Sequence, residues 1–300
     1  MAKSRIVRHE QRRNLVQFLT ALFSNAYIMG FIEGKIYQGG SKALCVPGLN
    51  CYACPGALGS CPIGSLQAVL NSGLSRFSFY VGGFLITIGT AFGRLACGWF
   101  CPFGWLQDLL YKIPLPKGMS KKRSLKYEKV LSYLRYVVLV VFVILLPMFV
   151  VDAFGMGKPF FCAWVCPSGT ISGLLLLASN SSLRGAVSWV FAYKSLILLT
   201  TVLLSIILWR PFCRYICPLG AIYGLFNPIA IYRFEIDTAN CGSCNICQQA
   251  CKLDIPVYQT PNSPDCIRCG DCIAACTHNA IKSGFFPRIE PAVQIADTEA

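Results

Sequence analysis

Long apolar stretches separated by basic segments run along most of this chain of 300 residues. Four of them, at residues 15–32, 77–93, 136–151 and 195–209, approach the roughly 17–25 residues that a membrane-spanning helix needs. The third and fourth stretches can lengthen if Arg135 and Lys194 extend their side chains to an interface. We therefore predict a mainly α-helical membrane protein with about four transmembrane helices.

The composition supports this prediction. Hydrophobic residues make up 55% of the chain and charged residues 13%, whereas an average soluble domain has about 25% charged residues. A soluble protein this apolar could not cover its surface with polar groups. Intrinsic disorder, and the alternative that the apolar stretches are core helices of a soluble enzyme, are both disfavoured.

The positive charge is unevenly distributed. There are 27 Lys and Arg against 13 Asp and Glu, for a net charge of +14. The N-terminal arm and the second connection, residues 112–129, hold many of the basic residues, which in a membrane protein indicates cytoplasmic segments rather than nucleic-acid binding. We predict a multi-pass protein of the cell (inner or cytoplasmic) membrane, with the N-terminus and everything after Trp209 in the cytoplasm. No small-residue cleavage site follows the first stretch, which favours an uncleaved anchor over a signal peptide.

Cysteine is unusually frequent, with 18 residues, and only two histidines are present. A disulfide scaffold is normally a short secreted chain, so cysteines at repeated short spacings favour metal ligands here. His9 and His278 both lie outside the apolar stretches. This disfavours a transmembrane haem held by paired histidines and zinc sites built from cysteine and histidine.

The C-terminal cysteines have the double Cys-x2-Cys-x2-Cys-x3-Cys spacing of bacterial ferredoxins that hold two [4Fe–4S] clusters. Three cysteines on a tight loop bind one cube, and the fourth reaches across to the other cube. The predicted ligands of the first cluster are Cys241, Cys244, Cys247 and Cys276, and those of the second are Cys266, Cys269, Cys272 and Cys251. Lys252 and Thr277 replace the usual proline but remove no ligand. We predict a small α+β ferredoxin-like domain over residues 232–285, followed by a C-terminal extension at 286–300. A pair of zinc knuckles fits the doubled spacing poorly.

The other ten cysteines lie in the membrane part, where a repeat is visible. Three sites read Cys-x3-Cys-Pro, at Cys97/Cys101, Cys162/Cys166 and Cys213/Cys217, and a fourth Cys-Pro pair begins at Cys61. The four following segments are similar: CPIGSLQAVL, CPFGWLQDLL, CPSGTISGLL and CPLGAIYGLF. We call these four sites the Cys-Pro corners. Each apolar segment is too short to span a membrane and predicts a half-helix or an interfacial helix.

A Cys-Pro corner suits an iron–sulfur cluster for a physical reason. Proline is favoured at the first position of a helix, which places the cysteine before it at the positive helix end. Free backbone N–H groups there favour an anion such as a thiolate-ligated cube. Four copies favour this interpretation over Cys-Pro turns that cap helices without a metal.

The corners alternate between the two predicted membrane sides. This predicts a membrane domain at 1–231 with two parallel repeats, at about 14–111 and 130–226. The inner cluster is expected on Cys97, Cys101, Cys213 and Cys217, and the outer cluster on Cys162, Cys166, Cys61 and Cys54. The fourth outer ligand is open, because position 57 is alanine where the repeat would place a cysteine. Cys51 and Cys45 are further candidates, and a surplus pair could form a disulfide on an oxidising face.

These short membrane helices, Cys-x3-Cys-Pro motifs and terminal double ferredoxin motif resemble the NapH/NosR/CcoG group of membrane polyferredoxins, over roughly residues 80–280. The resemblance implies an electron-transfer subunit of an oxidoreductase complex, which serves quinol oxidation or supplies electrons to reductases. It makes a flavoprotein or reductase subunit, and quinone, candidate partners. The cysteine-rich segment at 45–62 departs from the simpler two-corner pattern of the group.

Three functions remain in competition. The first is an electron conduit between a cytoplasmic donor or the quinone pool and a redox partner, and the second is a redox-dependent assembly or regulatory factor for a metalloenzyme. The third, substrate chemistry at a cluster, is disfavoured because neither a Cys-x3-Cys-x2-Cys triad nor a dinucleotide motif is present. No catalytic residue is predicted, and we prefer the conduit. Glu33, Asp108 and Asp152 are candidate proton acceptors for a quinone or ordinary interfacial residues.

Overall fold

The protein is described from a computed structural model, which covers residues 2–71, 79–116, 120–151, 157–179, 185 and 189–286. The described part is mostly helical. The helices of its first half are α1 (Ala2–Ser24), α2 (Met29–Glu33), α3 (Pro62–Asn71), α4 (Phe79–Phe92), α5 (Leu95–Trp99) and α6 (Pro102–Lys112). Those of its second half are α7 (Glu128–Val138), α8 (Leu146–Phe149), α9 (Pro167–Ser179), α10 (Trp189–Ile207), α11 (Pro211–Tyr215), α12 (Pro218–Phe226), α13 (Ile246–Ala250) and α14 (Asp271–Ala275).

Two described helices are long and apolar enough to cross a membrane. One is the continuous helix Glu128–Phe149, in which a π-helical segment, Leu139–Leu145, joins α7 to α8. The other is α10, and these two contain most of the third and fourth predicted spans. The second predicted span coincides with α4, which is apolar but shorter than a full span, and the residues just before α4 lie outside the described part.

The first predicted span is wrong as a single helix. Helix α1 ends at Ser24, and a break separates it from α2. The side chain of Asn25 donates to the carbonyl of Ala21 at 3.0 Å, and the carbonyl of Ser24 accepts the N–H of Leu58 at 2.9 Å. These contacts satisfy the backbone at the helix end from outside the helix, so the apolar run can continue without remaining helical.

The long helices have their polar and apolar faces inverted relative to a soluble protein. In α1 the side chains of Arg13 and Gln17 are fully buried, whereas its large apolar residues are mostly exposed. In α10 the buried residues are Thr201 and Ser205, and Leu196 is 61% exposed. Exposed apolar faces of this extent need a non-aqueous neighbour, and lipid is the one that inverted helices fit.

Each Cys-Pro corner is followed by a short helix that begins at its proline: α3, α6, α9 and α12. Proline fits the first helical turn because its missing N–H has no partner there. Ile63 of α3, Phe103 of α6 and Leu219 of α12 belong to one buried core, and Ile171 of α9 packs against it. The four corners are therefore brought together around a common centre.

The C-terminal segment contains the only sheet of the described residues. Strands β1 (Tyr232–Ile236) and β2 (Ile281–Phe285) pair antiparallel, with Tyr232 opposite Phe285 and Ile236 opposite Ile281. The loops and short helices α13 and α14 lie between them and carry the eight tail cysteines. This is a small α+β unit, and we refer to residues 232–286 as the tail.

The tail is docked closely on the helices. Arg268 donates to the carbonyls of Phe92 at 2.9 Å and of Asn227 at 2.7 Å. In the opposite direction, Arg94 donates to the carbonyls of Pro264 at 3.0 Å and Asp265 at 3.1 Å. Buried guanidinium groups that bind backbone carbonyls from both sides fix the orientation of the tail.

Candidate functional site

All eighteen cysteines lie in the described part of the chain, and all are free thiols. The surplus disulfide considered for the segment at 45–62 is therefore not formed. Most of these thiols are buried or half-buried, and sixteen of them fall into four groups of four. Two groups lie in the tail and two among the Cys-Pro corners.

The first tail group surrounds a cavity whose lining includes Cys241, Cys244, Cys247 and Cys276. These are the four residues predicted for the first cluster. In the second tail group, Cys272 lies within electrostatic range of Cys269, Cys266 and Cys251. The structure thus brings each predicted set of four together, including the cysteine that comes from the other motif.

The two tail loops share one backbone conformation. The second and fourth residues after the first cysteine have positive φ in both loops: Ser243 and Asn245 in one, Arg268 and Gly270 in the other. This conformation turns the loop back toward its own cysteines, and the N–H of Arg268 lies 3.4 Å from Sγ of Cys266. Backbone N–H groups aimed at sulfur stabilise a thiolate, which is the form that ligates iron.

The inner group consists of Cys97, Cys101, Cys213 and Cys217, all of them buried. Cys101 and Cys217 are the N-cap residues of α6 and α12, while Cys97 and Cys213 lie in the preceding short helices. Sγ of Cys101 accepts the N–H groups of Gly104 and Leu49, each at 3.4 Å. The predicted donors of the helix N-terminus therefore do reach a sulfur.

Two buried arginines cross between the inner corners. Arg94 donates to the carbonyl of Cys213 at 3.0 Å, and Arg210 donates to the carbonyl of Cys97 at 2.6 Å. A Cβ on Gly104 would lie 3.1 Å from Nη1 of Arg210, and one on Gly220 would lie 3.1 Å from Nη2 of Arg94. The glycine shared by the corner segments therefore leaves room for these arginines.

The outer group lines a cavity of about 230 Å³ that contains Cys51, Cys61, Cys162 and Cys166. Cys54, predicted as the fourth outer ligand, is not among the lining residues and faces a neighbouring cavity beside Phe103. Cys45 is placed beside Ser65, with 3.8 Å between Sγ and Oγ. The geometry therefore favours Cys51 over Cys54.

The outer group has its own cation and its own side-chain donor. Nζ of Lys194 donates to the carbonyl of Cys162 at 3.1 Å, as the arginines do at the inner corners. Nε2 of Gln67 lies 3.4 Å from Sγ of Cys162, and Nε2 of Gln107 lies 3.1 Å from Sγ of Cys213. Both groups of thiols thus face positive charge and N–H donors.

The spacing of the thiols fits a cluster better than a single ion. Within the described ranges, no three Cys, His, Asp or Glu side chains converge closely enough to ligate one metal ion. In a [4Fe–4S] cube each iron takes one thiolate, so four thiols spaced around a cavity fit the larger group. Burial raises the pKa of the Cys266 thiol to about 11, so iron binding there must displace a proton.

A network of buried charges lies between the inner group and the tail. Asp108 accepts from Nε of Arg210 at 2.8 Å, and Arg13 donates to Asp271 at 3.2 Å. Burial alone would raise the pKa of Asp108, but the positive charges of Arg210, Arg13 and Lys252 together outweigh burial and hold that pKa below its usual value. Asp108 is therefore a charged partner of Arg210.

The other candidate quinone groups have ordinary surroundings or are not described. Glu33 is exposed and lies 3.8 Å from Nζ of Lys35. Asp152 lies outside the described residues.

Five side chains that contact the corner cysteines were not identified from the sequence: Gln67, Arg94, Gln107, Lys194 and Arg210. Four of them lie at a regular position in the sequence relative to the corner cysteines. Each glutamine lies six residues after the cysteine of its corner, and each arginine lies three residues before the first cysteine of an inner corner. Lys194 has no such regular position, because α10 supplies it from a separate part of the chain.

Comparison with known proteins agrees with this geometry. A family described as a 4Fe-4S binding domain matches residues 76–123, 134–183 and 194–232, and each match contains one Cys-x3-Cys-Pro corner. The uncharacterized protein MJ0750 of Methanocaldococcus jannaschii is 30% identical over 67% of this chain and 76% of its own length. The ferredoxin-type protein NapH of Escherichia coli is 24% identical over 73% and 72%. The regulatory protein NosR of Stutzerimonas stutzeri is 26% identical over 59% of this chain but only 22% of its own length.

No solved structure matches the chain. The family match and the named relatives nevertheless agree with the thiol groups on the cofactor and on its use in electron transport. The chain is an iron–sulfur protein that binds [4Fe–4S] clusters, and it belongs to the NapH/NosR-type polyferredoxin family.

Proposed function

We propose that this protein is a membrane electron conduit in which four [4Fe–4S] clusters form one chain. The order is first tail cluster, second tail cluster, inner cluster, outer cluster. The tail and inner ligands are those predicted from the sequence, and the outer ligands are Cys51, Cys61, Cys162 and Cys166. The protein would act as an electron-transfer subunit of an oxidoreductase complex rather than as a stand-alone enzyme.

The link between the inner and outer groups carries this proposal. The N–H of Leu49 lies 3.4 Å from Sγ of Cys101, an inner thiol. Leu49 also lines the outer cavity, together with Cys51 two residues later. A Cβ on Gly48 would lie 2.8 Å from Cα of Cys101, so the backbones are in direct contact. The four-residue segment 48–51 therefore bridges the two groups, which allows a short electron-transfer step.

The inner group is equally close to the tail. A Cβ on Gly98 would lie 2.4 Å from the carbonyl oxygen of Ile267, in the loop that carries Cys266 and Cys269. Trp209 belongs to the buried core of the tail, and its ring also faces the guanidinium of Arg210 at 5.2 Å. An electron that leaves the second tail cluster would therefore reach the inner group through packed protein atoms.

The length of helix α1 gives an estimate of the distance between the second tail group and the outer group. At one end Arg13 pairs with Asp271, next to the tail ligand Cys272, and at the other the carbonyl of Ser24 contacts Asn50, next to Cys51. Eleven residues separate Arg13 from Ser24, which corresponds to about 17 Å along a helix axis. A hydrocarbon core is about 30 Å thick. Clusters placed toward the middle of the membrane would divide electron transfer across the hydrocarbon core into shorter steps.

The orientation belongs to the same proposal. The basic second connection and the tail would face the cytoplasm, and the outer group would face the other side. A cytoplasmic donor or the quinone pool supplies or receives electrons at one end, and a redox protein does so at the other. The inverted faces of α1 and α10 support a lipid environment for the path.

The direct test is electron transfer across a sealed vesicle. The purified protein is reconstituted with a reductant on the tail side and a membrane-impermeant acceptor on the other side. Acceptor reduction is expected, and it should be lost in the double replacement of Cys162 and Cys166 by serine. Cys45→Ser is the matched control, because Cys45 lies outside the outer cavity. No transfer by the wild type, or transfer that survives the double replacement, contradicts the conduit.

A redox-dependent regulatory or assembly role is the second candidate. Its support is that one relative is named a regulatory protein. Such a protein needs clusters that change their redox state, but it needs no electron acceptor on the outer side of the membrane. A wild type that holds all four clusters yet reduces no external acceptor in the vesicle experiment would favour this role.

A further inference from the structure

The same side-chain position recurs after two of the Cys-Pro corners. Gln67 lies six residues after Cys61, and Gln107 lies six residues after Cys101. Both side chains are almost completely buried, with 0% and 1% of their surface exposed. Buried amides are costly unless they are hydrogen-bonded, so their partners reveal what they do.

The two glutamines make corresponding contacts. Oε1 of Gln67 accepts the N–H of Phe161 at 3.0 Å, and its Nε2 lies 3.4 Å from Sγ of Cys162. Oε1 of Gln107 accepts the N–H of Phe212 at 3.2 Å, and its Nε2 lies 3.1 Å from Sγ of Cys213. Each amide therefore binds the opposite corner twice, once through the backbone and once through a thiol sulfur.

The equivalent position after Cys217 is Tyr223, which is fully buried. Its hydroxyl has no hydrogen-bond partner among the described residues, and it lies within electrostatic range of Cys97. Two of the four corners thus place an N–H donor on a thiol of the opposite corner, and a third has a buried hydroxyl at the same position. Packing alone would not require a donor at this position.

We propose that Gln67 and Gln107 are positioning residues that set the reduction potentials of the outer and inner clusters, each by donating an N–H to one thiolate ligand. This inference rests on the ligand sets of the proposed function. The reduced cluster carries one more negative charge than the oxidised cluster, so the donor stabilises the reduced state more strongly. Each glutamine therefore raises the potential of its own cluster.

Burial makes this effect specific. With both amides shielded from solvent, no water replaces the donor when the side chain is changed. The low dielectric of the surroundings also strengthens a hydrogen bond to a charged sulfur. The effect is confined to one cluster, because Gln67 and Gln107 contact thiols of different groups.

The test uses the full-length protein and two matched pairs of variants. Gln107→Glu keeps an oxygen that can accept the N–H of Phe212 but removes the N–H donor to Cys213. Gln107→Met removes the donor without adding a charge. It replaces the glutamate variant in the experiment if that variant does not retain its cluster. Gln67→Glu and Gln67→Met are the corresponding changes at the outer site, and each pair is the control for the other.

The midpoint potential of every cluster is measured by redox titration monitored by electron paramagnetic resonance. In the Gln107 variants the midpoint potential of the inner cluster should fall. The fall should be larger for glutamate than for methionine, and the potentials of the other three clusters should not change. In the Gln67 variants only the outer potential should fall. Electron–nuclear double resonance of the reduced protein in D2O should also show one exchangeable proton fewer near the affected cluster.

Iron content distinguishes failure of this inference from failure of the proposed function. Unchanged potentials and unchanged exchangeable-proton couplings, in variants that retain full iron content, overturn the inference and leave the ligand sets intact. A Cys213→Ala variant that retains all its iron shows that Cys213 does not hold an inner cluster. That result overturns the proposed ligand set and the role of Gln107 with it.

Discussion

Arg94 and Arg210 hold equivalent places in the two inner corners, and each reaches across to the carbonyl of the other corner's first cysteine. Their reciprocal contacts hold the two corners in a fixed relation, and they bring positive charge to a site that would carry an anion. At the outer corners Lys194 has this role, and it donates to the carbonyl of Cys162. The inner and outer groups therefore differ in the cations that contact them, although their corner segments have similar sequences.

The fourth outer ligand can be decided by a matched pair of substitutions. Cys51→Ser should remove one [4Fe–4S] cluster, about a quarter of the iron, because Cys51 lines the outer cavity with three other thiols. Cys54→Ser should leave the iron content unchanged, since Cys54 faces the neighbouring cavity. Iron and sulfide analysis of anaerobically purified protein measures both. The reverse pattern would restore the ligand set expected from the sequence.

The buried ion pair of Asp108 is expected to be essential for stability. Asp108→Asn leaves Arg210 without its charged partner, and breaking a buried pair in this way costs about 3–5 kcal/mol. Glu33→Gln, at an exposed pair with Lys35, should cost less than about 1 kcal/mol. Thermal unfolding of the two variants in detergent gives the comparison. Equal melting temperatures would mean that the Asp108 pair adds no stability.

At the scale of elements, the short helix α5 is the contact between the inner corner and the tail. Gly98 brings its backbone against Ile267, and the side chain of Gln17 on α1 donates to the carbonyl of Gly98 at 2.7 Å. The tail loop, α5 and α1 therefore meet at one point. Helix α5 is only five residues long, so these contacts rather than its own hydrogen bonds determine where it lies.

A methyl group at this point should separate the tail from the inner corner. In Gly98→Ala the new Cβ would lie 2.4 Å from a backbone oxygen, so the tail loop must shift. We expect slower electron transfer from the tail clusters to the inner cluster, measured by rapid-freeze electron paramagnetic resonance after reductant is added. Gly284→Ala is the control in the tail, because nothing lies within 4 Å of its added Cβ. An unchanged rate in Gly98→Ala would argue against this contact as the route.

At the scale of the whole molecule, inverted helices surround a buried centre that contains the corner cysteines and several buried arginines. The exposed side chains of the helix Glu128–Phe149 include Val130, Tyr133 and Val137, while Arg135 is buried and pairs with Asp265 at 2.7 Å. Lipid on the outside and charged, cysteine-rich protein on the inside is the arrangement that hides buried arginines from hydrocarbon. The tail closes one end of this centre.

The membrane orientation can be tested with reporters. Fusions at Lys121 and at the C-terminus should both report the cytoplasm, because basic loops remain on that side. A fusion at Gly40, in the first connection, should report the opposite side and is the matched control. An external signal from Lys121 or from the C-terminus would reverse the direction of the conduit.

The sequence alone determined the features that depend on neighbours in the chain. The ferredoxin motifs place their ligands within loops of a few residues, so spacing was sufficient to predict both groups of tail thiols. Proline at the first helical position is likewise a local rule, and it predicted the start of α3, α6, α9 and α12. The repeat also predicted that the two inner Cys-x3-Cys pairs share one cluster, and in the structure these four cysteines are buried in corners that Arg94 and Arg210 link.

Only the tertiary structure decided what depends on residues that are far apart in the chain. That Cys51 rather than Cys54 lines a cavity with Cys162 depends on a residue more than a hundred positions later, and our proposal of Cys51 as an outer ligand rests on this placement. The break after Ser24 depends on Leu58, and the partners of Gln107 and Arg94 lie in the opposite inner corner. Hydropathy reports how apolar a segment is but not which distant carbonyl or sulfur its few polar groups will meet. Those contacts arise only when the four corners pack around one centre.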